Sequence, residues 1–290
     1  MIELMVALVL GLFLVLALVE ILINGKAAFG SANNLSRLQE SGRIATNLIV
    51  SDLRRGGYMG GNSDIPNIFG TIGQAPAAIS CSNTDTTWAR MVTQPIVGLD
   101  DTNTGYACVP DATYLQGDIV ATRYAAPFVE TGALTAGRLY LRSSLFEGKI
   151  FQGSADANPL NAVSDTPQSV RQLVAHAYFV GNSGRTCNGD AVPSLFRATL
   201  NDNGQPVIEE LLPGIEHMQL QYGEGDQYVD ADAVADWGEV VTARLWLLVR
   251  AECAESGFTD GRTYNMGNQV YVPNDGFRRQ LYSSVVMLRN

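Results

Sequence analysis

The chain has 290 residues, 46% of them hydrophobic, with 29 acids against 19 Lys plus Arg, for a formal net charge of −10. That balance excludes a general nucleic-acid surface, which needs a basic face. The length allows one large core or two small ones behind any membrane segment.

From Leu4 to Ile23, only Gly11 and Glu20 are not apolar. A helix of that length rises about 30 Å, the thickness of a bilayer's hydrocarbon core. A helix apolar all round belongs in lipid or in the middle of a bundle, not on the surface of a soluble domain. Residues 1–23 therefore read as a transmembrane or filament-core helix. Glu20 lies within one turn of the run's end and reads as interfacial. Glu3 stands just ahead of the run, where a carboxylate is costly unless it meets water, a headgroup or a positive partner. Either it sits in the interface at a frayed end, or a partner neutralises it.

Residues 24–55 continue the helix in amphipathic form. Asn24, Gly25 and Gly30 are weak helix formers and predict a loosening there. Beyond them Leu35, Leu38, Ala45, Leu48, Ile49 and Leu53 recur at three-to-four spacing on one face. Arg37, Glu40, Arg43 and Asp52 fall mostly on the other. The run Gly56-Gly57-Tyr58-Met59-Gly60-Gly61 ends the helix at Arg55. It lacks the Lys-Ser/Thr of a phosphate loop and follows a helix instead of a strand, so it reads as a turn.

Residues 62–112 read as loop with short extended pieces. Strand patterns then follow at Asp118–Tyr124, Arg138–Arg142, Leu173–Val180, Leu195–Leu200, Pro206–Leu212, Ile215–Tyr222, Val240–Arg250 and Tyr282–Leu288. Asn201-Asp-Asn-Gly204 is a hairpin turn. In Val240–Arg250, Val241, Ala243, Leu245, Leu247 and Val249 are expected on one face, with Thr242, Arg244, Trp246 and Arg250 on the other. A long helix followed by antiparallel strands predicts an α+β fold, with residues 56–290 as a β-rich globular domain.

Cys81, Cys108, Cys187 and Cys253 form no Cys-x-x-Cys pair and no zinc spacing. An even count in a tethered domain favours two disulfides in an oxidising compartment over four reduced thiols. Three connectivities are open, and 81–108 with 187–253 is favoured because local pairing is cheapest to form. His176 and His217 lie in strand patterns with no ligand spacing around them, and no hydrolase or Walker motif occurs. The only cation candidates are Asp226, Asp230 and Asp232, in an acidic stretch that suits calcium but not the EF-hand spacing. No cofactor is otherwise expected.

Ile2-Glu3-Leu4-Met5-Val6-Ala7 followed by an unbroken apolar helix resembles the start of a type IV prepilin. That family reads Gly-Phe-Thr-Leu-Ile-Glu-Leu-Met-Val-Ala across its processing site. The resemblance implies that Glu3 pairs with the terminal amine of a neighbouring subunit and fixes axial register. Met1 stands where the family has Leu, and no Gly-Phe-Thr or basic leader precedes it. The expectation is that the reading frame starts upstream. Lys26, Arg37 and Arg43 follow the helix with no cation before it, which would leave the domain cytoplasmic. A basic leader reverses that sign, and the cysteines favour the periplasmic side.

A second resemblance lies at the C-terminal end. Leu212-Pro-Gly-Ile-Glu-His-Met-Gln-Leu-Gln-Tyr-Gly223, Asp236-Trp237, Asp275-Gly-Phe-Arg-Arg279 and the terminal Leu-Arg-Asn290 are similar to the PilW minor-pilin family. It implies a non-enzymatic pilus subunit at or near the filament tip that helps prime assembly. Its implied partners are other minor pilins, the major pilin, the prepilin peptidase, the inner-membrane assembly platform and a PilY-type adhesin, with membrane lipid before assembly. The implied location is the inner membrane with a periplasmic domain, and the pilus afterwards. The competing readings are a type II secretion pseudopilin of the J class, a single-pass periplasmic binding module with a deep pocket, and an anchored hydrolase with clustered titratable groups.

Overall fold

A computed structural model describes residues 2–72, 87–153 and 167–288. Helix α1 runs unbroken over Ile2–Leu53. The expected loosening at Asn24, Gly25 and Gly30 is absent. A glycine costs a helix only about 1 kcal/mol, and a long cooperative helix absorbs that. Fifty-two residues give a rod of about 78 Å.

The helix stops two residues before the expected point. The Gly56 N–H donates to the Asp52 carbonyl at 2.9 Å, closing the last turn. Gly57 follows at φ +83, a conformation that glycine adopts without steric cost. Its N–H donates to the Arg123 carbonyl, so the chain turns straight onto the sheet.

The remaining elements are β1 (Ile68–Phe69), α2 (Thr87–Arg90), β2 (Ile96–Leu99), β3 (Tyr114–Ala125), β4 (Leu139–Ser143), β5 (Gly148–Gln152), β6 (Ser169–Cys187), β7 (Asp190–Leu200), β8 (Pro206–Pro213), β9 (Ile215–Glu224), β10 (Gln227–Val229), β11 (Val240–Arg250), β12 (Tyr264–Met266), β13 (Gln269–Tyr271) and β14 (Arg279–Met287). Residues 62–112, read as mostly loop, contribute β1, α2 and β2. All eight expected strands are present. Short strands β1, β2, β10, β12 and β13 carry too few residues to show a period.

The larger sheet runs β1-β5-β4-β6-β3-β2, with β7 and β8 added beside β6. Its pairings are antiparallel except β1 with β5. The second sheet is β10-β9-β11-β14, antiparallel throughout, and β12-β13 is a separate hairpin. The layout is α+β and pilin-like: a long N-terminal apolar helix on a mostly antiparallel β domain.

Strand alternation decides which core each side chain enters. In β6, Tyr178 and Val180 face a core shared with α1 and the second sheet. Ala175, Ala177 and Phe179 face the opposite core, closed by Trp88, Met91, Tyr106 and Val109. Leu38, Ala45, Ile49 and Leu53 of α1 are buried in the first core, as the stripe requires. Leu35 is not: it stands 47% exposed.

One register expectation fails in β11. Val240 is buried and Val241 is 50% exposed, because a bulge between Val240 and Thr242 reverses the alternation at the strand's start. Ala243, Leu245, Leu247 and Val249 are buried as expected. The opposite face is not left to solvent, because Tyr264 and Met266 of the β12-β13 hairpin cover Leu248, with Trp246 against them.

Candidate functional site

Residues 2–26 of α1 are all exposed, and the apolar side chains among them touch no part of the domain. Leu8 is 67% exposed, Phe13 65% and Leu22 69%. This half is long and apolar enough to cross a membrane. Glu3 lies in its first turn. Met1 lies outside the described residues.

The second half of α1 is fastened to the domain at successive levels. The Asn34 amide donates to Glu255 at 3.0 Å, and Arg37 pairs with Glu252 at 3.5 Å. One turn further on, Gly42 lies against the ring of Tyr282, whose hydroxyl donates to the Leu38 carbonyl at 3.2 Å. The lowest fastening is Asp52. Its carboxylate is buried and accepts from the Tyr124 hydroxyl at 2.9 Å, the Tyr178 hydroxyl at 2.6 Å and Nδ1 of His176. Burial pushes the Asp52 carboxyl up. The hydrogen bond and charge of His176 and the two tyrosine hydroxyls outweigh it and hold the group below its ordinary value.

Asp52 was expected on the solvent side of the helix. It lies three residues after Ile49 and seven after Ala45, so its spacing already put it on the buried stripe. An acid at a stripe position is the signal that marks an anchoring contact.

A second buried network closes the C-terminal sheet. Arg279, 3% exposed, donates Nε to Glu216 Oε2 at 2.5 Å and Nη2 to Glu216 Oε1 at 2.9 Å. It also reaches both Asp275 oxygens, at 2.6 and 2.7 Å. Arg250 stands opposite Arg279 in the β11–β14 ladder, and Glu216 lies between the two guanidiniums, 3.6 Å from Arg250. Asp260 joins from 3.7 Å, held by Arg262 and by the Tyr264 hydroxyl at 2.8 Å. Burial alone would lower the Arg279 pKa, but its bonds to Asp275 and Glu216 raise it above the ordinary arginine value. Two stretches far apart in sequence, Gly214-Ile-Glu216 and Asp275-Gly-Phe-Arg-Arg279, thus meet in one ion cluster.

That C-terminal region, residues 177–290, matches the family described as Type IV Pilus-assembly protein W, PilW. That match supports a PilW-family type IV pilus protein. No curated protein and no solved structure matches the chain significantly. The match supports involvement in type IV pilus assembly and points to a structural role, and α1 supplies a helix long and apolar enough to cross a membrane.

The PilW region also carries the cross-link between the two sheets. Cys187, at the end of β6, is bonded to Cys253, just past β11, with 5.3 Å between their Cα atoms. Cys108 is also disulfide-bonded. Cys81 lies outside the described residues.

His217, near the start of the PilW region's β9, packs against Tyr271 with ring centroids 4.7 Å apart and planes tilted by 52°, and meets the Gln116 amide at 3.1 Å. Burial lowers its pKa. A cleft of ≈ 670 Å³ opens where α1 ends, lined by Arg54, Arg55, Tyr58, Ala125, Pro127, Met287 and Leu288. Among the described residues, its lining holds no carboxylate, thiol or imidazole.

The acids expected to gather a cation do not converge. Asp226 is exposed in the β9–β10 turn, Asp232 is exposed, and Asp230 accepts from the Gln221 amide at 3.0 Å. Among the described residues, the acids with ligand atoms within 4.8 Å of one another are Asp100, Asp101 and Asp118. Sequence reading missed them because Asp118 is separated from the pair Asp100-Asp101 by a long excursion, and only strand pairing brings them together.

Proposed function

We propose that this PilW-family chain is a minor pilin that helps prime type IV pilus assembly and sits at or near the filament tip. Before assembly, α1 spans the inner membrane with the domain on the periplasmic side, and afterwards it lies in the filament core. The observation that carries this reading is the bare first half of α1. Residues 2–26 are exposed over their whole length, although the second half of the same helix is fastened to the domain. In lipid that surface is satisfied. In a filament it is satisfied only by sister helices, and removing apolar surface from water supplies the drive.

Glu3 would pair with the terminal amine of a neighbouring subunit and set the axial step between helices. The partners on this reading are other minor pilins, the major pilin, the prepilin peptidase, the inner-membrane assembly platform and a PilY-type adhesin. The bulk of the domain supports a tip position, because a large head is awkward in the shaft.

The test is Glu3→Ala in the full chain, read as incorporation into surface filaments. Incorporation should be lost while the domain keeps its melting profile. Unchanged incorporation would remove Glu3 from the mechanism, and a variant chain absent from filaments but also unfolded would be replaced by Glu3→Gln.

A further inference from the structure

Among the described residues, β14 is a free edge of the second sheet: β11 pairs with one side of it and no strand pairs with the other. The Leu288 N–H donates to the Val241 carbonyl, so in this antiparallel ladder the even-numbered residues exchange bonds with β11. The N–H and C=O groups of Ser283, Val285 and Met287 therefore point away from the sheet. The cluster under the β12–β13 hairpin takes in Leu281. Beyond it the outward side chains are bare: Ser283 is exposed, Val285 is 56% exposed and Met287 77%.

An open strand edge is a template for another chain, and folds blunt such edges with short length, proline, charge or bulges. The other edges here are blunted in those ways. Strands β1, β2, β10, β12 and β13 have two to four residues each. Strand β8 begins with Pro206, ends with Pro213, carries Glu209 and Glu210, and shifts register against β7. Strand β14 has none of these devices. It is nine residues long, keeps its register with β11 throughout, and contains neither proline nor lysine. Its one charged residue, Arg279, is buried at the far end.

The open edge leads to a cationic cleft. Met287 and Leu288 line the same cleft as Arg54 and Arg55. Among the described residues, Arg54 forms no ion pair. Arg55 comes no closer than 3.9 Å to Asp52, whose carboxylate already accepts from Tyr124, Tyr178 and His176. Two cations at the end of an open edge, in a chain of net charge −10, favour an acidic occupant.

A second copy of this chain does not fit there. Tyr282 lies beside Leu38 and Gly42, and Met287 lies beside Arg54 and Arg55, so α1 and β14 run in the same direction. An antiparallel β14–β14 pair would point two α1 helices in opposite directions. Two copies anchored in one membrane cannot do that, a step that rests on the membrane reading of α1 given above.

We propose that β14 is the docking edge for a strand of a different chain. That strand runs antiparallel to β14, the pairing that is more stable per residue. It carries apolar residues at alternate positions, to lie against Val285 and Met287, and acids at its N-terminal end, over Arg54 and Arg55. Main-chain bonds hold a strand added in this way, and alternate side chains select it.

The test uses the full-length chain in detergent and the fluorescein-labelled peptide Glu-Asp-Thr-Val-Thr-Val-Thr-Val, read by polarisation. Saturable binding is expected with Kd below about 1 mM, the weak end of the affinity scale. Val285→Pro removes an N–H that β11 does not use, and a solvent-facing edge tolerates proline. That variant and Val285→Lys should each weaken binding about tenfold or more, because proline and lysine on an edge resist pairing. A peptide with Lys-Lys in place of Glu-Asp should bind about tenfold more weakly, because like charges then meet at the cleft. Phe146→Ser, on an exposed residue away from the edge, should bind as the parent does. Glu3→Ala should also bind as the parent does, so failure of the filament role and failure of this edge are read separately. Absence of binding up to about 1 mM overturns the proposal, as does binding that both Val285 variants leave unchanged or that the Lys-Lys peptide matches. A detergent-solubilised dimer that Val285→Pro dissociates also overturns it, by assigning the edge to a second copy.

Discussion

Gly42 of α1 and Tyr282 of β14 occupy one another's space: a Cβ on Gly42 would stand 2.1 Å from a ring carbon of Tyr282. Helix and sheet can come this close only because residue 42 has no side chain. Glycine inside a helix costs about 1 kcal/mol relative to alanine, so propensity alone would predict that Gly42→Ala stabilises the protein. The contact reverses the sign.

The Gly42→Ala variant should therefore destabilise, by about 1–3 kcal/mol for overpacking at a close contact. Thermal denaturation of the full chain measures it. The double variant Gly42→Ala with Tyr282→Ala should lose less than the sum of the two single changes, because the second change opens the space the first one needs. Strict additivity would show that the two residues do not compete.

Asp52 makes the anchorage of α1 sensitive to acid. Its folded-state pKa is held below 3.8 by His176, Tyr178 and Tyr124 against the opposing effect of burial. A group depressed on folding contributes stability that is fully present above its unfolded pKa and is lost as pH falls through the folded value. Melting temperature should hold near neutral pH and fall below about pH 4, the ordinary range for aspartate. Asp52→Asn should remove that part of the acid dependence while the rest of the profile remains.

Asp52→Ala is the harsher change, since it strips the acceptor from two buried hydroxyls and from His176. A loss of about 3–5 kcal/mol follows from leaving buried partners unmatched. Protease access to the α1–domain seam should rise with it. A loss below 1 kcal/mol would mean that Asp52 does not hold the helix.

Arg279 is the hub of the PilW region's ion cluster, so its removal strands Glu216 and Asp275 without their shared cation. Arg279→Met should cost about 3–5 kcal/mol, most of it from leaving Glu216 buried and uncompensated. Adding Glu216→Leu to that variant should recover part of the loss, since an apolar pair replaces a broken one. If the second change only deepens the loss, the cluster is not the coupled unit its geometry indicates.

The Cys187–Cys253 bond closes a loop with a sequence separation of 66 and joins the two sheets. Chain-entropy reasoning assigns it about 4 kcal/mol. Cys187→Ser with Cys253→Ser should lower the denaturant midpoint and steepen its slope, because the freed denatured chain exposes more surface, and reductant should act on the parent in the same direction. Unchanged stability under reductant would show that this cross-link is structurally idle.

Much of this architecture could be read from local pattern. The apolar run from Leu4, the stripe through Leu38, Ala45 and Ile49, and the eight expected strands each show their period or their residue types within a single window of sequence. Strands β12 and β13 have three residues each, and a window that short carries no period. The Val240–Thr242 bulge escaped for a different reason: an inserted residue shifts the alternation without changing composition.

What the chain's own order determined was therefore the rod, its two halves, the β-rich domain and the PilW stretches, since these depend on residues that are neighbours in sequence. What only the tertiary structure decided was the partnership of residues from distant strands. Asp52 meets His176, Glu216 meets Arg279, and Asp118 meets Asp100 and Asp101. Apart from Asp52, whose spacing sets it on the buried stripe, each of these polar side chains reads as surface in its own segment. Sheet pairing and the descent of α1 remove it from water, and a group so removed must find its partner across the fold.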